Sequence, residues 1–473
     1  MKRVILILGA AGAVLVLAIV IFILTFSLND RKPRIEEAVS KAMKMEVRIN
    51  GQLKLMLFPH IGVLAKDLLI QNEGVDVGTA EEAKVGLRLL PLLRRKILVK
   101  KIWLTAPTFF ITVNQGGHSN LETLAAKVTG PETPRSPFEL EKLFVTKGHL
   151  LYRNERTGRQ AEATECDLAI QNLASGGGEF YSHLYLAGNL SCGELRVEQL
   201  QLTGIVAEIK AGQGLLEANP LTFQIFGGNG RGNIQGVMTD ESPKYTVDFA
   251  ITQIAFEDVL TTFRNQPSIR GPLDLQAHLT MQGKTGKQAT RTARGKVTIQ
   301  GKNLLLETTD LDQMLAKYEK SQNFNLVDVG AFFIAGPLGT LLTKGYNFGS
   351  LYQESRGGTS TVQTLVSDWK VDNGVAEAED VALATKENRI ALTGKLDFVN
   401  QQFDNVTVAV LDEKGCARFS QTIHGPFRNP LVDPVRTLES MGGPMTNLFN
   451  KTMKFLRGGD CEIFYAGSVK HPK

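Results

Sequence analysis

Apolar and polar residues alternate along most of this chain, and this period of two restricts its fold more than any other feature. Successive side chains of a β-strand point to opposite faces of a sheet, so the alternation predicts strands that each have one apolar face. The clearest segments are Leu53–Leu57, Val85–Leu89, Phe109–Val113, Leu221–Ile225, Tyr245–Ile251, Leu273–Met281 and Val406–Val410. The 46 glycines suit tight turns between such strands, which favours β structure over a helical bundle.

Four segments have helical spacing instead. In residues 32–44, Pro33 can occupy the first turn and apolar residues recur on one side, which predicts a short amphipathic helix. The same spacing predicts helices at residues 256–264 and 311–320, and a fourth helix that begins at Ser119. We therefore expect a mainly β body interrupted by short helices.

An uncharged run from Val4 to Phe26 follows two basic residues at the amino terminus. At about 1.5 Å per residue, a helix of this length would cross a hydrocarbon core of roughly 30 Å. The alternatives are a cleaved signal peptide, whose apolar region is normally about 7 to 15 residues long, and a buried core helix. Ser27–Asp30 contains no small-x-small cleavage site, so we expect an uncleaved transmembrane anchor.

The orientation of this anchor depends on opposing charges. Basic residues before the run favour a cytoplasmic amino terminus, whereas basic residues soon after it favour the reverse. The β-rich body and a possible disulfide tip the balance toward export. Four cysteines without a CxxC pair argue against a zinc or redox site and are compatible with one or two disulfides, of which we expect Cys416 to pair with Cys461.

The sequence contains no motif that specifies an enzyme, a cofactor site or a metal site. Gly283-Lys284-Thr285 ends like a phosphate-binding loop, but His278 stands where the first glycine belongs, so we interpret this segment as a hairpin turn. The glycine-rich run Gly228–Gly232 is followed by Asn233 where a dinucleotide fingerprint needs glycine. The histidines are scattered, and a net charge of +5 is too weak for nucleic acid at this length. We expect a non-enzymatic protein without cofactor, metal or nucleic acid.

Three prolines after residue 130 mark the first boundary that we predict in the body. The predicted regions are an anchor at 1–30, a helix and β region at 31–130, a middle antiparallel region at 131–305 and a carboxy-terminal β region with helical insertions at 306–473. A basic cluster in the second region comprises Arg94, Arg95, Lys96, Lys100 and Lys101. It could contact anionic headgroups, each residue adding about 1 kcal/mol, or it could flank strands in a solvated loop.

Several short motifs occur in an order that resembles the AsmA family. In the amino-terminal part these are Leu28–Pro33 after the anchor, Gly51-Gln52-Leu53-Lys54-Leu55 before Phe58-Pro59, Leu90–Leu93, Ala106-Pro107 and Gly116–Leu124. Further along they are Phe226–Gly232, Asp372–Val375 and Gly425–Pro430. Each motif is loose, but their number and order cover nearly the whole chain.

The resemblance implies a single-pass inner-membrane protein with a periplasmic body, which acts in outer-membrane biogenesis and is related in form to bridge-like lipid transfer proteins. We expect the anchor to be followed by an elongated, curved antiparallel sheet that forms either a groove or a β-sandwich-like body. As a groove, its apolar strand faces would bind phospholipid acyl chains. The candidate lining residues are Leu53, Leu55, Leu87, Leu89, Phe223, Ile225, Val247, Phe249, Leu273, Leu275 and Leu279.

The alternative is a scaffold or assembly factor that affects the targeting of outer-membrane proteins. Its apolar strand faces would form a closed core, and its partners would be envelope proteins instead of membrane lipids. Both arrangements bury one face of each strand, so the alternation is the same in the two cases. The sequence leaves this choice open.

Overall fold

A computed structural model describes residues 28–56, 61–88, 98–121, 138–175, 184–238, 242–263, 269–307, 310–321, 358–433, 436–437 and 461–472. The predicted anchor at residues 4–26 lies outside this described part. Within the described ranges, no helix is both long enough and apolar enough to span a bilayer.

The described residues form a mainly β fold with short helices, which confirms the fold class predicted from the alternation. Pairing is antiparallel for most strands, and β5 with β6 is parallel. The strands are β1 Glu46–Ile49, β2 Leu53–Met56, β3 Gly62–Asn72, β4 Val75–Leu87, β5 Val99–Val113, β6 Phe138–Asn154, β7 Gln160–Ser175, β8 Leu184–Val197, β9 Leu200–Gly212, β10 Leu215–Ile225, β11 Gly228–Val237, β12 Lys244–Ala255, β13 Ile269–Arg270, β14 Pro272–Gln282, β15 Arg294–Leu306, β16 Ser360–Asp372, β17 Val375–Ala384, β18 Arg389–Asp397, β19 Gln402–Leu411, β20 Ala417–Pro426, β21 Leu431–Val432 and β22 Arg436–Thr437.

The α-helices are α1 Lys32–Met43, α2 Phe256–Phe263, α3 Gly286–Thr292 and α4 Leu311–Ser321. The predictions of α1, α2 and α4 are confirmed. The interpretation of Gly283–Thr285 as a plain hairpin turn missed α3, which begins with a capping box between Thr285 and Gln288. Ser119, where another helix was predicted, pairs with Val113 in a β-bridge, and residues 122–137 lie outside the described part.

The chain divides into two compact units, Met1–Leu216 and Glu217–Lys473. The division falls inside β10 and within the region predicted as the middle domain. The domain boundaries predicted near residues 130 and 305 stay predictions.

In the first unit, α1 covers the edge of the sheet that starts with β1 and β2. Both strands pair with β3, and helix side chains bond to backbone groups on their outer edge. The Ser40 hydroxyl accepts from the Val47 amide at 2.8 Å, and the Glu36 carboxylate accepts from the Ile49 amide at 2.6 Å. Asn29 accepts likewise from the amide of Leu53. These bonds occupy edge groups that would otherwise be open to another strand.

In the second unit, β17, β18 and β19 are buried on both faces. One face belongs to the main hydrophobic core, and the other is covered by residues 461–472. Their sequences accordingly contain continuous apolar runs, such as Val381–Ala384 and Val408–Leu411, in place of strict alternation.

Candidate functional site

Apolar residues of the first unit line up in rows that run across its strands. Residues directly opposite each other on neighbouring strands project from the same face of a sheet. The first row is Leu55, Val63, Val85, Ile102, Leu143, Ile170, Gly188 and Ile209. The second row is Leu53, Ala65, Ala83, Leu104, Val145, Leu168, Leu190 and Ala207. Both rows consist only of apolar residues and glycine.

A third row lies farther along the same strands. It comprises Val47, Ile70, Gly78, Phe109, Leu150, Ala163, Leu195 and Leu202. We call the surface made by these three rows the apolar face of the first unit. It crosses the sheet from β1 and β2 to β9 without a charged residue.

Between the second and third rows, the alternation shifts by one residue in strand after strand. Asp67, Ala106, Lys147, Glu165 and Gly204 have left-handed φ values of 46° to 57° at this level. An added residue of this kind is a β-bulge, which keeps later apolar residues on the same face and bends the strand. We call this set the bulge line. The Asp167 carboxylate accepts from the Lys147 amide at 2.9 Å and so satisfies the backbone of one bulge.

The opposite face of this sheet is mostly polar. Its ion pairs include Lys84 with Glu82 and Arg196 with Glu194, and the imidazole of His149 is hydrogen-bonded to the Glu162 carboxylate at 2.8 Å. Trp103 and Phe144 stack on each other there, with ring centroids 6.0 Å apart. The described sheet of the first unit therefore has one apolar face and one mostly polar face.

In the described part of the chain, the apolar face is only partly covered. Phe109 and Leu150 are directly paired on β5 and β6, and 38% and 37% of their surfaces are exposed. The large side chains of the first row are mostly half-buried. The described residues of this unit form a small buried hydrophobic cluster, which comprises Ile49, Leu53 and Ala65.

The second unit repeats the row arrangement but seals it. One row comprises Ile254, Leu273, Gly301, Leu365, Leu383, Ile390, Val410 and Phe419. Its apolar side chains are at most 4% exposed. Phe256 and Leu260 of α2, with Leu311 and Leu315 of α4, are buried in the same cluster. These two helices help to make a closed core where the first unit has a partly open face.

The predicted groove residues divide between these two environments. Leu53 and Leu55 belong to the apolar face of the first unit, and Leu87 is half-buried at the end of β4. Leu273 and Leu275 lie inside the closed core. Phe223, Ile225, Phe249 and Leu279 are partly buried against it, and Val247 pairs with Leu279. Leu89 lies outside the described residues.

The predicted basic cluster is described only at its end. Lys100 pairs with Glu141 at 3.3 Å, and Lys101 lies opposite Lys142 across β5 and β6. Arg94, Arg95 and Lys96 lie outside the described residues. Contact of this cluster with a membrane stays a prediction.

All four cysteines form disulfides in the structure. Cys416 is bonded to Cys461, with 6.1 Å between their Cα atoms, which is the pair expected from the sequence. Cys166 is bonded to Cys192, directly opposite it on β7 and β8. Sequence reasoning allowed for a second disulfide, and only the strand register brings these two residues together.

The model of the AsmA family matches residues 1–183 and 186–381. This chain belongs to the AsmA family. No curated protein and no solved structure matches it. In this AsmA-family member, the matched residues include the whole described apolar face of the first unit, whereas β18 to β20 and residues 461–472 lie beyond the match.

Sequence reasoning missed several residues that complete the apolar face of the AsmA-family sheet. Phe109 and Leu150 each lie in an alternating segment, but their pairing depends on the parallel register of β5 with β6. The signal for the bulge line was also present. The alternation changes phase once within each strand, as between Ala65 and Leu68 or between Leu104 and Pro107. Assigning residues to the two faces of each strand, with one change of phase allowed per strand, would have predicted the bulge line.

Proposed function

We propose that this AsmA-family protein binds phospholipid acyl chains on the apolar face of its first unit and acts in outer-membrane biogenesis. The observation that carries the proposal is the set of three apolar rows that cross this sheet while large side chains such as Phe109 and Leu150 stay partly exposed. Contiguous exposed apolar surface marks a site of interaction with lipid or protein.

Acyl chains fit this face because their attraction to it needs no directional partner. The hydrophobic effect contributes about 25 cal/mol for each Å² of apolar surface removed from water. The three rows offer neither charges nor hydrogen-bonding side chains that would select one headgroup. A surface of this kind would accommodate chains in several positions, as a carrier or conduit requires.

The proposal includes the location and the chemical class predicted from the sequence. Residues 4–26 would anchor the protein in the inner membrane, and the body would lie in the periplasm. The protein would act without catalysis, and its partners would be membrane lipids. Carbonate washing of membranes tests the anchor, because an integral protein stays with the membrane pellet and release into the supernatant would contradict the anchor.

A second candidate function rests on the second unit. Its corresponding row is sealed by α2 and α4, as expected for a closed, protein-binding body. The second unit could therefore serve as a scaffold for envelope proteins during outer-membrane assembly, whether or not the first unit binds lipid. Protein adducts confined to the second unit would support this role.

Site-specific photocrosslinking in cells tests the lipid proposal. A photoreactive amino acid would replace Phe109 or Leu150 on the apolar face, and Thr108 or His149 on the opposite face as matched controls. The two control positions pair with each other and adjoin the test positions in sequence, so they share the same strands and depth. Mass spectrometry would then identify attached molecules.

We expect phospholipid adducts at positions 109 and 150 to exceed those at positions 108 and 149 by at least about tenfold. Equal lipid yields on both faces would indicate nonspecific contact and contradict the proposal. Protein adducts alone at positions 109 and 150 would assign the apolar face to a protein partner instead.

A further inference from the structure

Residues 461–472 lie across the outer face of the second unit, and we call them the strap. Phe464 and Tyr465 donate their backbone amides to the Gly415 carbonyl at 2.9 Å and 3.1 Å. Ile463 forms a β-bridge with Cys416. The strap is thus attached by its backbone to the turn between β19 and β20.

The strap covers a surface made of small apolar residues. Tyr465 and Val469 are buried against a cluster that the sheet supplies from β17, β18 and β19. Its members are Ala382, Ala384, Ala391, Ala409 and Leu411. The opposite face of the same strands belongs to the closed core, so the strap adds a second layer to a sheet that already has one.

Polar contacts fix Tyr465 in place. Its hydroxyl donates to the Asp380 carboxylate and accepts from the Val469 amide at 3.0 Å. The other Asp380 oxygen accepts from the Ser468 amide at 3.0 Å. Burial opposes ionisation of Asp380, but the hydrogen bonds from Ser468 and Tyr465 outweigh it and hold the pKa of this carboxyl below its usual value.

Arg389 of β18 contacts both the strap and the turn beneath it. Its guanidinium donates to the Val469 carbonyl at 3.2 Å and to the Asp412 carbonyl at 2.9 Å, and it lies 5.8 Å from the centre of the Tyr465 ring. The side chain is 7% exposed, and its Nε has no hydrogen-bond partner. Of its carbonyl partners only Val469 belongs to the strap, so the guanidinium can keep its bonds to the Asp412 and Glu413 carbonyls when the strap detaches.

The Cys416–Cys461 disulfide is the covalent part of this attachment. Cys461 begins the strap and is half-buried, whereas Cys416 is buried in the turn. The two cysteines are 45 positions apart in sequence. A cross-link that closes a long loop lowers the conformational entropy of the detached strap most. For this loop, the loss of chain entropy corresponds to a decrease of up to about 1,000-fold in the equilibrium constant for detachment of the strap.

We propose that the strap is a redox latch, which reduction of Cys416–Cys461 by a dithiol releases from the alanine-rich surface while the core of the second unit stays folded. In the first step a thiolate of the dithiol attacks the more accessible Cys461 sulfur. The disulfide bond breaks, and Cys416 leaves with the electron pair and takes up a proton. The second thiol of the reductant then closes its own disulfide and releases Cys461 as a thiol, completing a two-electron, two-proton transfer.

Amide hydrogen exchange of the full chain, with and without dithiothreitol, tests the latch. Because reduction removes the covalent restraint, we expect exchange at Phe464, Tyr465 and Val469 to accelerate by between about 10- and 1,000-fold. In a Trp103→Phe background, the fluorescence of Trp369, which is buried in the core, should not change. A Cys461→Ser variant should show the fast exchange without reductant.

The other disulfide supplies the matched control. A Cys166→Ser/Cys192→Ser variant lacks the disulfide of the first unit and should keep the full response of the strap to dithiothreitol. Unchanged strap exchange, with thiol titration proving that Cys416 and Cys461 are reduced, would show that noncovalent contacts alone hold the strap and would overturn the proposal. Loss of the Trp369 signal on reduction would overturn it too, because the disulfide would then support the core itself.

Discussion

Truncation of one leucine in each unit should separate a closed core from an open face. Leu273 is 0% exposed and lies between Ile254 and Gly301 in the sealed row, whereas Leu150 is 37% exposed on the apolar face of the first unit. Both leucines lie on the apolar faces of long strands. Leu273→Ala and Leu150→Ala therefore remove the same atoms from two different environments.

The expected losses of stability differ by a factor of two or more. Replacing leucine by alanine removes carbon atoms worth about 2.4 kcal/mol of transfer free energy when fully buried, at about 0.8 kcal/mol each. A cavity in a rigid core raises the total to about 3 to 5 kcal/mol, which we expect for Leu273→Ala. At Leu150 the exposed fraction reduces the transfer contribution to about 1.5 kcal/mol or less, and solvent or lipid fills the space.

The two tryptophans provide a reporter for each unit, Trp103 in the first and Trp369 in the second. In a Trp103→Phe background, urea unfolding followed by Trp369 fluorescence should show a midpoint lowered by about 1 M for Leu273→Ala, if m is roughly 3 kcal/mol/M. Trp369→Phe leaves Trp103 to report on Leu150→Ala. Gln276→Ala, at an exposed position of the same strand as Leu273, should change stability by less than about 0.5 kcal/mol.

A shift for Leu273→Ala that corresponds to less than about 1 kcal/mol would refute the closed core, because it would mean that water or lipid already reaches this row. A loss above about 3 kcal/mol for Leu150→Ala would refute the open face. Leu150→Ala should still reduce lipid crosslinking from Phe109, its cross-strand neighbour.

Three further predictions concern local features. Cys166→Ser/Cys192→Ser opens a disulfide whose cysteines are 26 residues apart, and should lower the stability of the first unit by about 2 to 4 kcal/mol in urea unfolding followed by Trp103, whereas no change would mean that the bond is absent. Asp167→Ala removes the acceptor for the Lys147 amide and should cost about 1 kcal/mol, most of which Asp167→Asn should restore; equal losses for both would argue against this bond. Because the pKa of Asp380 is lowered, its carboxylate stabilises the attached strap above pH 3.8, and this contribution is lost as the pH falls below that value. Burial and the hydrogen bond to Asp380 raise the pKa of Tyr465, so the contribution of its hydroxyl is present below pH 10.0 and is lost as the pH rises above that value. Protection of the Val469 amide should therefore fall at both extremes, and Asp380→Asn should remove the acidic limb.

The sequence predicted the strands and three of the four α-helices in the described residues because each depends on spacing within a short segment. Alternation near Leu53 and Leu273 is visible without knowledge of any neighbour. It could not distinguish the sealed environment of Leu273 from the open one of Leu150, since that depends on how α2 and α4 pack on the sheet, which their positions in the sequence do not reveal. Leu311 of α4, for example, is separated from Leu273 by β15.

Other features depend on register or on polar contacts that have no short motif. The Cys166–Cys192 pair requires β7 and β8 to align at one residue, and the row through Phe109 and Leu150 requires a parallel pair inside a mostly antiparallel sheet. The strap is attached through Arg389 and Asp380, which are distant from it in sequence. Helix α3 was missed because its capping box, Thr285 with Gln288, follows a glycine-lysine pair typical of turns.

The contrast between the units bears on why the first unit keeps an apolar face at all. The same chain closes the equivalent rows of its second unit with α2 and α4, so its fold has a means of sealing such rows. Among the described residues of the first unit, α1 lies at the sheet edge and bonds to backbone groups of β1 and β2. Ile35 of α1 packs against the cluster of Ile49, Leu53 and Ala65 at the edge of the sheet, whereas Phe109 and Leu150 stay partly exposed farther along, and the blocked edge prevents addition of another strand. This arrangement favours a ligand that lies on the face of the sheet over a partner that extends it, which is the distinction that crosslinking from Phe109 and Leu150 measures.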